Sequence, residues 1–307
     1  QQLEGLRQFK QICILRIAAA DIAEVLPVMK VSDHLTYLAE AIVEAGVNQA
    51  WLQVVAKFGE PTHLKDREGK GFGVVGYGKV GGWELGYNSD LDMVFMHDCP
   101  VNVYTDGKKE IDGRQFYLRL AQRIIHIFSI RTASGILYEV DMRLRPSGAS
   151  GLLVSPTDAF EEYQLKDAWT WEHMALTQAG VIAGSPELVA RLNAVMVDVI
   201  CRRRDKNMLA DDVEAMRQRL FEHQKIRGPL DVKNGSGGLI DIEFMVQALI
   251  LAYAADCPAL VAPSGLAATL EKLHAADLLS RGDYELLLEA GSCYGALRQI
   301  SGLCLEP

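Results

Sequence analysis

Between residues 71 and 98 the sequence changes texture in a way that few folds accommodate. A short apolar run, Phe72 to Val75, leads into six glycines spread from Gly73 to Gly86. Leu91, Met93 and Phe95 then alternate with Asp90, Asp92 and Val94. Alternation with a period of two belongs to a strand, and clustered glycines mark a loop, so the segment reads as strand, Gly-rich loop, strand. Residues two apart on a strand share a face, so Asp90 and Asp92 project together while Leu91 and Met93 pack behind them. Adjacent anions repel unless a cation sits between them, and hard divalent ions are held by one or two carboxylates plus substrate phosphates. The same pattern also reads as an exposed strand face with two solvated aspartates.

The flanking sequence is helical. Before the loop, Leu35, Leu38, Ile42, Val43, Val47, Val54 and Phe58 recur at spacings near three and four, a stripe that one helix face buries, with Ser32 or Asp33 expected as its cap. After it, residues 112–131 place Phe116, Leu120, Ile124, Ile127 and Phe128 on one side. A second alternating run spans 136–145 and ends in the loop Pro146-Ser147-Gly148-Ala149-Ser150-Gly151. Ser155-Pro156-Thr157-Asp158 then reads as a helix start, with Ser155 as cap. From there nearly everything to Pro307 reads as helix, broken mainly at Gly228-Pro229 and at 234–238. The expected fold is α+β: a helical segment at 1–61, a small α/β core at 62–155 and an all-helical bundle at 156–307.

The chain is 307 residues long with a formal net charge of −9, and its one tight basic run is Arg202-Arg203-Arg204, too short for a nucleic-acid footprint. Neither nucleic acid nor membrane is expected as a partner, since the longest nearly apolar stretch, 246–255, falls well short of the ~18 residues that a span needs. The N-terminus has neither a basic region followed by an apolar one nor an initiator Met, and reads as a piece of a longer chain. The six cysteines are scattered without a CxxC pair, as expected for reduced thiols in a cytoplasmic protein.

Gly76-Tyr77-Gly78-Lys79-Val80-Gly81 matches the dinucleotide fingerprint GxGxxG, but that motif must open a helix that receives pyrophosphate, whereas here Gly82 and Gly86 follow at once. Lys79 is followed by Val80 rather than the Ser or Thr of a Walker A loop. A third carboxylate carries more weight: Asp141, on the second alternating run, neighbours Asp90 and Asp92 if the two strands pair. A salt bridge from Asp141 to Arg143 or Arg145 is the competing reading. Arg143 and Arg145 themselves carry two readings, a bidentate grip on phosphate and structural pairing with Glu139 and Asp141. Trp169, Trp171, Met174 and Leu176 are expected in the core, Glu172 and His173 in hydrogen bonds within the bundle, and Asp241 and Glu243 at a helix N-terminus.

A Gly-Gly pair ahead of a DxD strand with one Asp on a later strand looks like a polymerase-beta-type nucleotidyltransferase core. More specifically, 76–98 (GYGKVGGWELGYNSDLDMVFMHD), 138–153 (YEVDMRLRPSGASGLL), 168–176 (AWTWEHMAL), 237–247 (GGLIDIEFMVQ) and 15–40 resemble the family of bifunctional glutamine synthetase adenylyltransferase/adenylyl-removing enzymes. The wording is similar to the C-terminal, AMP-adding half. The resemblance implies ATP as substrate and Asp90, Asp92 and Asp141 as catalytic ligands of two Mg²⁺ ions, with Mn²⁺ as an alternative. It places Gly81, Gly82 and Ser89 along the phosphates, Lys79 on the leaving pyrophosphate, and Arg143 and Arg145 near phosphate oxygens. It also implies glutamine synthetase as protein substrate, with the signal-transduction protein PII and glutamine as regulators of the full-length enzyme. Where relatives carry Arg-Ala-Arg after the Trp-Glu-His segment, this chain has Gln178-Ala179-Gly180. The adenylyl-removing half, or a non-catalytic nucleotide- or partner-sensing module, are the alternatives.

Overall fold

The fold is described by a computed structural model covering residues 2–223, 228, 231–262 and 264–304. Gln1 and 305–307, at the ends of the expected spans, and Pro229 of the expected break lie outside the described residues. Two helices come first, α1 (Gln2–Ile22) and α2 (Val28–Phe58). The α2 stripe is buried as its spacing requires, with Leu35, Ile42, Val43 and Phe58 all in the core. It packs on α4 (Gly113–Ser129), which Asp112 caps by accepting from the N–H groups of Arg114 and Gln115. Approach is closest at Gly46, where a Cβ would stand 2.6 Å from Phe128 Cε2. Neither expected cap of α2 acts as one, because the helix begins earlier, with Pro27 in the N-cap position. Asp33 pairs with Lys30 at 2.7 Å, and Ser32 Oγ accepts from Gln299 Nε2 at 3.0 Å.

The sheet is mixed. Strand β1 (Phe72–Gly76) leads into a single helical turn, α3 (Gly78–Gly81), and the chain returns as β2 (Leu91–His97) antiparallel to β1. On its other side β2 pairs in parallel with β3 (Val140–Asp141) near its start and with β4 (Val154–Pro156) near its end. The register sets Leu91 opposite Val140 and Asp92 opposite Asp141. Within β2, Leu91, Met93 and Phe95 face the core built with α2 and α4, whereas Val94 and Met96 face the one built with the later helices. Asp92 shares the second parity, so it points to the side where the C-terminal helices pack.

Three expectations change. The run 136–145 contributes only two residues of strand: the Leu137 N–H bonds Phe128 O, and the backbone turns again beyond Asp141. Ser155 lies in β4 instead of capping a helix, and α5 (Thr157–Lys166) starts after Pro156, with Thr157 Oγ1 donating to His97 O at 3.1 Å. The segment expected to be all helix holds a fifth strand, β5 (Gly180–Ala183), antiparallel to β1 with a bulge at Val74/Val75. Four residues leave no room for a readable alternation. The remaining elements are helices: α6 (Thr170–Leu176), α7 (Pro186–Ile200), α8 (Lys206–His223), α9 (Leu239–Tyr253), α10 (Leu266–Ala275) and α11 (Arg281–Cys304). Among the described residues no helix is long and apolar enough to cross a membrane.

The segment that carries Asp141 is held from the N-terminal side. Arg7 on α1 is 1% exposed and donates to four carbonyls: Leu3 at 2.7 Å, Gly135 at 2.9 Å, Ile127 at 2.9 Å and Ile130 at 2.6 Å. Three of these lie at the end of α4 or in the turn that follows it. Arg7→Ala strands buried acceptors and loses this link, and a loss of about 3 kcal/mol in denaturant-induced unfolding is expected. A change under ~1 kcal/mol would show that the carbonyls are satisfied by other means.

Candidate active site

Asp90 precedes β2, Asp92 is its second residue and Asp141 ends β3, so the parallel register gathers three carboxylates from two strands. One oxygen from each lies within 4.8 Å of the other two. Burial raises Asp92 to about 6, and repulsion from Asp90 and Asp141 adds to it, against partial relief from Lys79 and Arg143. Asp141 moves the other way, because its hydrogen bond with the Arg143 side chain holds it below the usual carboxylate range. The donor set suits a hard divalent cation: all oxygen, accessible on one side, and electrostatically unfavourable without positive charge.

Arg143 answers one of its two readings in this state. Its Nε donates to Asp141 Oδ2 at 2.6 Å and its backbone N–H to Oδ1 at 2.8 Å, while the guanidinium is otherwise exposed. Arg145 forms no ion pair with Glu139 or Asp141 among the described residues. Its guanidinium donates to the carbonyls of Met142 at 2.7 Å, Ala149 at 2.8 Å and Gly151 at 3.3 Å, which organises the loop after β3.

The Gly-rich loop is built around close approaches. Gly78 has φ +53°, and a Cβ there would stand 3.0 Å from Asp92 Oδ2. At Gly81 a Cβ would meet Gln178 O at 2.3 Å and Gly76 O at 2.4 Å, so the lead-in to β5 passes directly over it. The N–H groups of Gly81 and Gly82 bond Tyr77 O and Gly78 O, at 3.3 and 2.7 Å, and close the single turn of α3. Ser89 is buried, and its Oγ accepts from the Gly86 N–H at 2.9 Å, closing the loop just before Asp90. Lys79 is half-buried; burial depresses its pKa, and Arg298 and Lys233 add to this, while Asp90 and Asp92 oppose it.

Several other candidates find structural partners. Glu172 accepts from Tyr163 Oη at 2.8 Å and from the Trp169 N–H at 2.9 Å, and His173 Nε2 meets Gln164 O at 2.9 Å. Met174 and Leu176 are core residues, but Trp169 and Trp171 are not: they are 71% and 44% exposed, Trp169 as the N-cap of α6 and Trp171 in its first turn. Asp241, at the start of α9, accepts from Arg217 and from the Gly237 N–H. Gln178, in the departure from the family pattern, accepts from Gln247 at 3.0 Å.

The sequence reading missed Glu84, Arg298 and Gln299, which line a cavity of about 230 Å³ beside the carboxylates, between the 83–89 loop, α10 and α11. Glu84 accepts from the Leu266 N–H at 2.6 Å, and burial, with Glu243 next, raises it to about 7. The available signal was the small-residue spacing of Gly291 and Gly295 on α11, which opens room opposite the loop.

The family described as glutamate-ammonia ligase adenylyltransferase matches residues 1–195, and the one described as GlnD PII-uridylyltransferase matches residues 207–300. A bifunctional glutamine synthetase adenylyltransferase/adenylyl-removing enzyme from Vibrio parahaemolyticus serotype O3:K6 (strain RIMD 2210633) is 71% identical over 262 residues, which is 85% of this chain. The chain spans 28% of that relative's length.

Asp92 gives the site a signed pH dependence. Its folded pKa is raised, so its stabilising contribution is complete below the ordinary value of 3.8 and is lost as pH rises through about 6. At pH 8 without divalent ions, Asp92→Asn is therefore expected to raise the melting temperature by about 2 °C. The parent chain should be stabilised by Mg²⁺ or Mn²⁺ at pH 8, with an affinity that falls as pH drops through about 6, and the variant should lose that response. Equal responses of parent and variant in thermal-shift titrations would remove Asp92 from the cation site.

Proposed function

We propose that this chain, which belongs to the glutamate-ammonia ligase adenylyltransferase family, transfers AMP from ATP to a tyrosine hydroxyl of glutamine synthetase. The observation that carries this reading is the convergence of Asp90, Asp92 and Asp141 beside a Gly-rich loop, together with a relative whose name includes that activity. The core proposed for the reaction is the 62–155 unit, extended through β5, with the helices at 1–61 and 156–307 around it.

In the reaction the tyrosine oxygen forms a bond to the α-phosphorus, the bond from that phosphorus to the bridging oxygen breaks, and the electron pair leaves with pyrophosphate. Asp90, Asp92 and Asp141 would hold Mg²⁺ or Mn²⁺, which lowers the pKa of the attacking hydroxyl and neutralises charge on the phosphates. Asp141 stands at the nucleophile's end and takes up the hydroxyl proton. Arg143, exposed and on a short tether, is free to turn its two-pronged guanidinium from Asp141 to a phosphate oxygen. Lys79 offsets the charge of the departing pyrophosphate. Positioning and charge stabilisation supply most of the acceleration.

PII and glutamine are proposed as regulators of the longer protein. The likeness of 207–300 to a PII-uridylyltransferase supports a helical part common to two kinds of nucleotidyl transfer, and a PII link for this chain.

Incubation with unmodified glutamine synthetase, Mg²⁺ and α-labelled ATP is expected to label the partner. Asp90→Asn with Asp92→Asn should lower the rate by on the order of a thousandfold. No label, but ADP release from adenylylated glutamine synthetase and phosphate, would assign the removing reaction instead. Inactivity in both directions would assign a sensing module.

A further inference from the structure

The cavity between the 83–89 loop and the C-terminal helices contains a charge arrangement that the carboxylate site does not explain. Lys79, from the single turn after β1, and Arg298, from α11, both line it. Among the described residues neither forms a hydrogen bond or an ion pair, although Glu84 lines the same cavity and Glu243 lies near. The two cations are close enough for Arg298 to depress Lys79, with Lys233 acting in the same direction. Like charges brought together in a partly buried place are unfavourable unless an anion joins them. Of the carboxylates in reach, Glu84 and Glu243 are raised by burial towards the neutral form, and Asp90 and Asp92 act on Lys79 from the carboxylate site.

The placement of Arg298 is built. The next residue, Gln299, is 8% exposed, and its Nε2 donates to Ser32 Oγ at 3.0 Å and to Leu85 O at 3.4 Å. Three residues after Leu85, Asn88 Nδ2 donates to Gly302 O at 2.8 Å. These bonds fasten α11 to the loop that ends in Ser89 and Asp90. Gln299 lines the same cavity, and its buried Oε1 has no hydrogen-bond partner. Two unpaired cations on the wall of one cavity are the signature of a polar ligand site rather than of a packed interior.

We infer that Arg298 and Lys79 together grip the β- and γ-phosphates of the nucleotide, and that Gln299 is the positioning residue that sets Arg298 at the loop. This rests on the adenylyl-transfer reading: the α-phosphorus sits at Asp90 and Asp92, and the cavity, entered past Ser89 and Lys79, receives the polyphosphate end. Arg298 suits this task because a guanidinium offers two parallel N–H donors to phosphate oxygens and stays charged when half-buried. The C-terminal helices are then part of the nucleotide site.

The test is calorimetric titration of the whole chain with Mg-ATP, Mg-pyrophosphate and AMP, comparing the parent with Arg298→Gln, Arg298→Lys and Gln299→Ala, with far-UV circular dichroism to confirm folding. The parent should bind all three ligands. Arg298→Gln should weaken ATP and pyrophosphate about tenfold or more and leave AMP within about twofold, because one charge-assisted contact to phosphate is lost. Arg298→Lys, which keeps charge without the fork and serves if the Gln variant does not fold, should fall between. Gln299→Ala should weaken pyrophosphate while the charge at 298 is unchanged. Unaltered pyrophosphate affinity in folded Arg298→Gln or Arg298→Lys, with Mg-ATP binding still dependent on Asp90 and Asp92, would overturn the Arg298 assignment alone. Equal weakening of AMP and pyrophosphate would overturn it too, because the residue would then serve the site as a whole. A parent chain that binds neither ATP nor pyrophosphate would overturn the adenylyl-transfer reading with it.

Discussion

Three carboxylate oxygens within 4.8 Å of one another repel, and the sheet is what holds them in place. The pairing of β2 with β3 is only two residues long, yet it sets Asp92 opposite Asp141. A slip of one residue would turn Asp141 to the other face of the sheet. Such a short ladder has little register strength of its own, so the surroundings supply it: Arg7 holds the turn before β3, and Arg145 ties together the loop after it. Arg143 meanwhile neutralises Asp141.

The Gly-rich loop follows the same logic from the opposite side. It carries Asp90 at its end, and contacts from sequence-distant elements restrain it. Gln178 O crosses Gly81, the Leu266 N–H bonds Glu84, and Gln299 bonds Leu85 O. The glycine at 81 is a packing requirement, because a side chain there would collide with two carbonyl oxygens.

Much of this was legible from local pattern. The alternation around Asp90 and Asp92, the α2 stripe and the apolar side of 112–131 are short-range signals, and each names its element. The neighbour relation of Asp141 was also accessible, since a second alternating run after the DxD strand has few places to go in a small sheet. What local pattern could not show was decided by distant contacts. β5 is four residues long and is a strand because β1 has an open edge for it. The loop carbonyls that Arg145 bonds lie up to six residues away in a turn with no periodic signal. Trp169 and Trp171 look like core residues by type, yet at the N-cap and first turn of α6 they are exposed. Arg298 and Gln299 sit in a long helix with an unremarkable pattern, and their meaning comes from a loop more than two hundred residues earlier.

That separation bears on how the protein comes to be made. The bonds that fasten the 83–89 loop to α10 and α11 join residues 182 and 214 positions apart, and the one from Ser32 to Gln299 spans 267. Contacts at such separation form late, because the intervening chain must be ordered first. During synthesis the sheet and its three aspartates can assemble while residues beyond 200 are still inside the ribosome, but the loop stays unfastened until residue 302 has emerged. The growing chain thus carries a cluster of acidic ligands before it has a closed site around them, and α11 completes it.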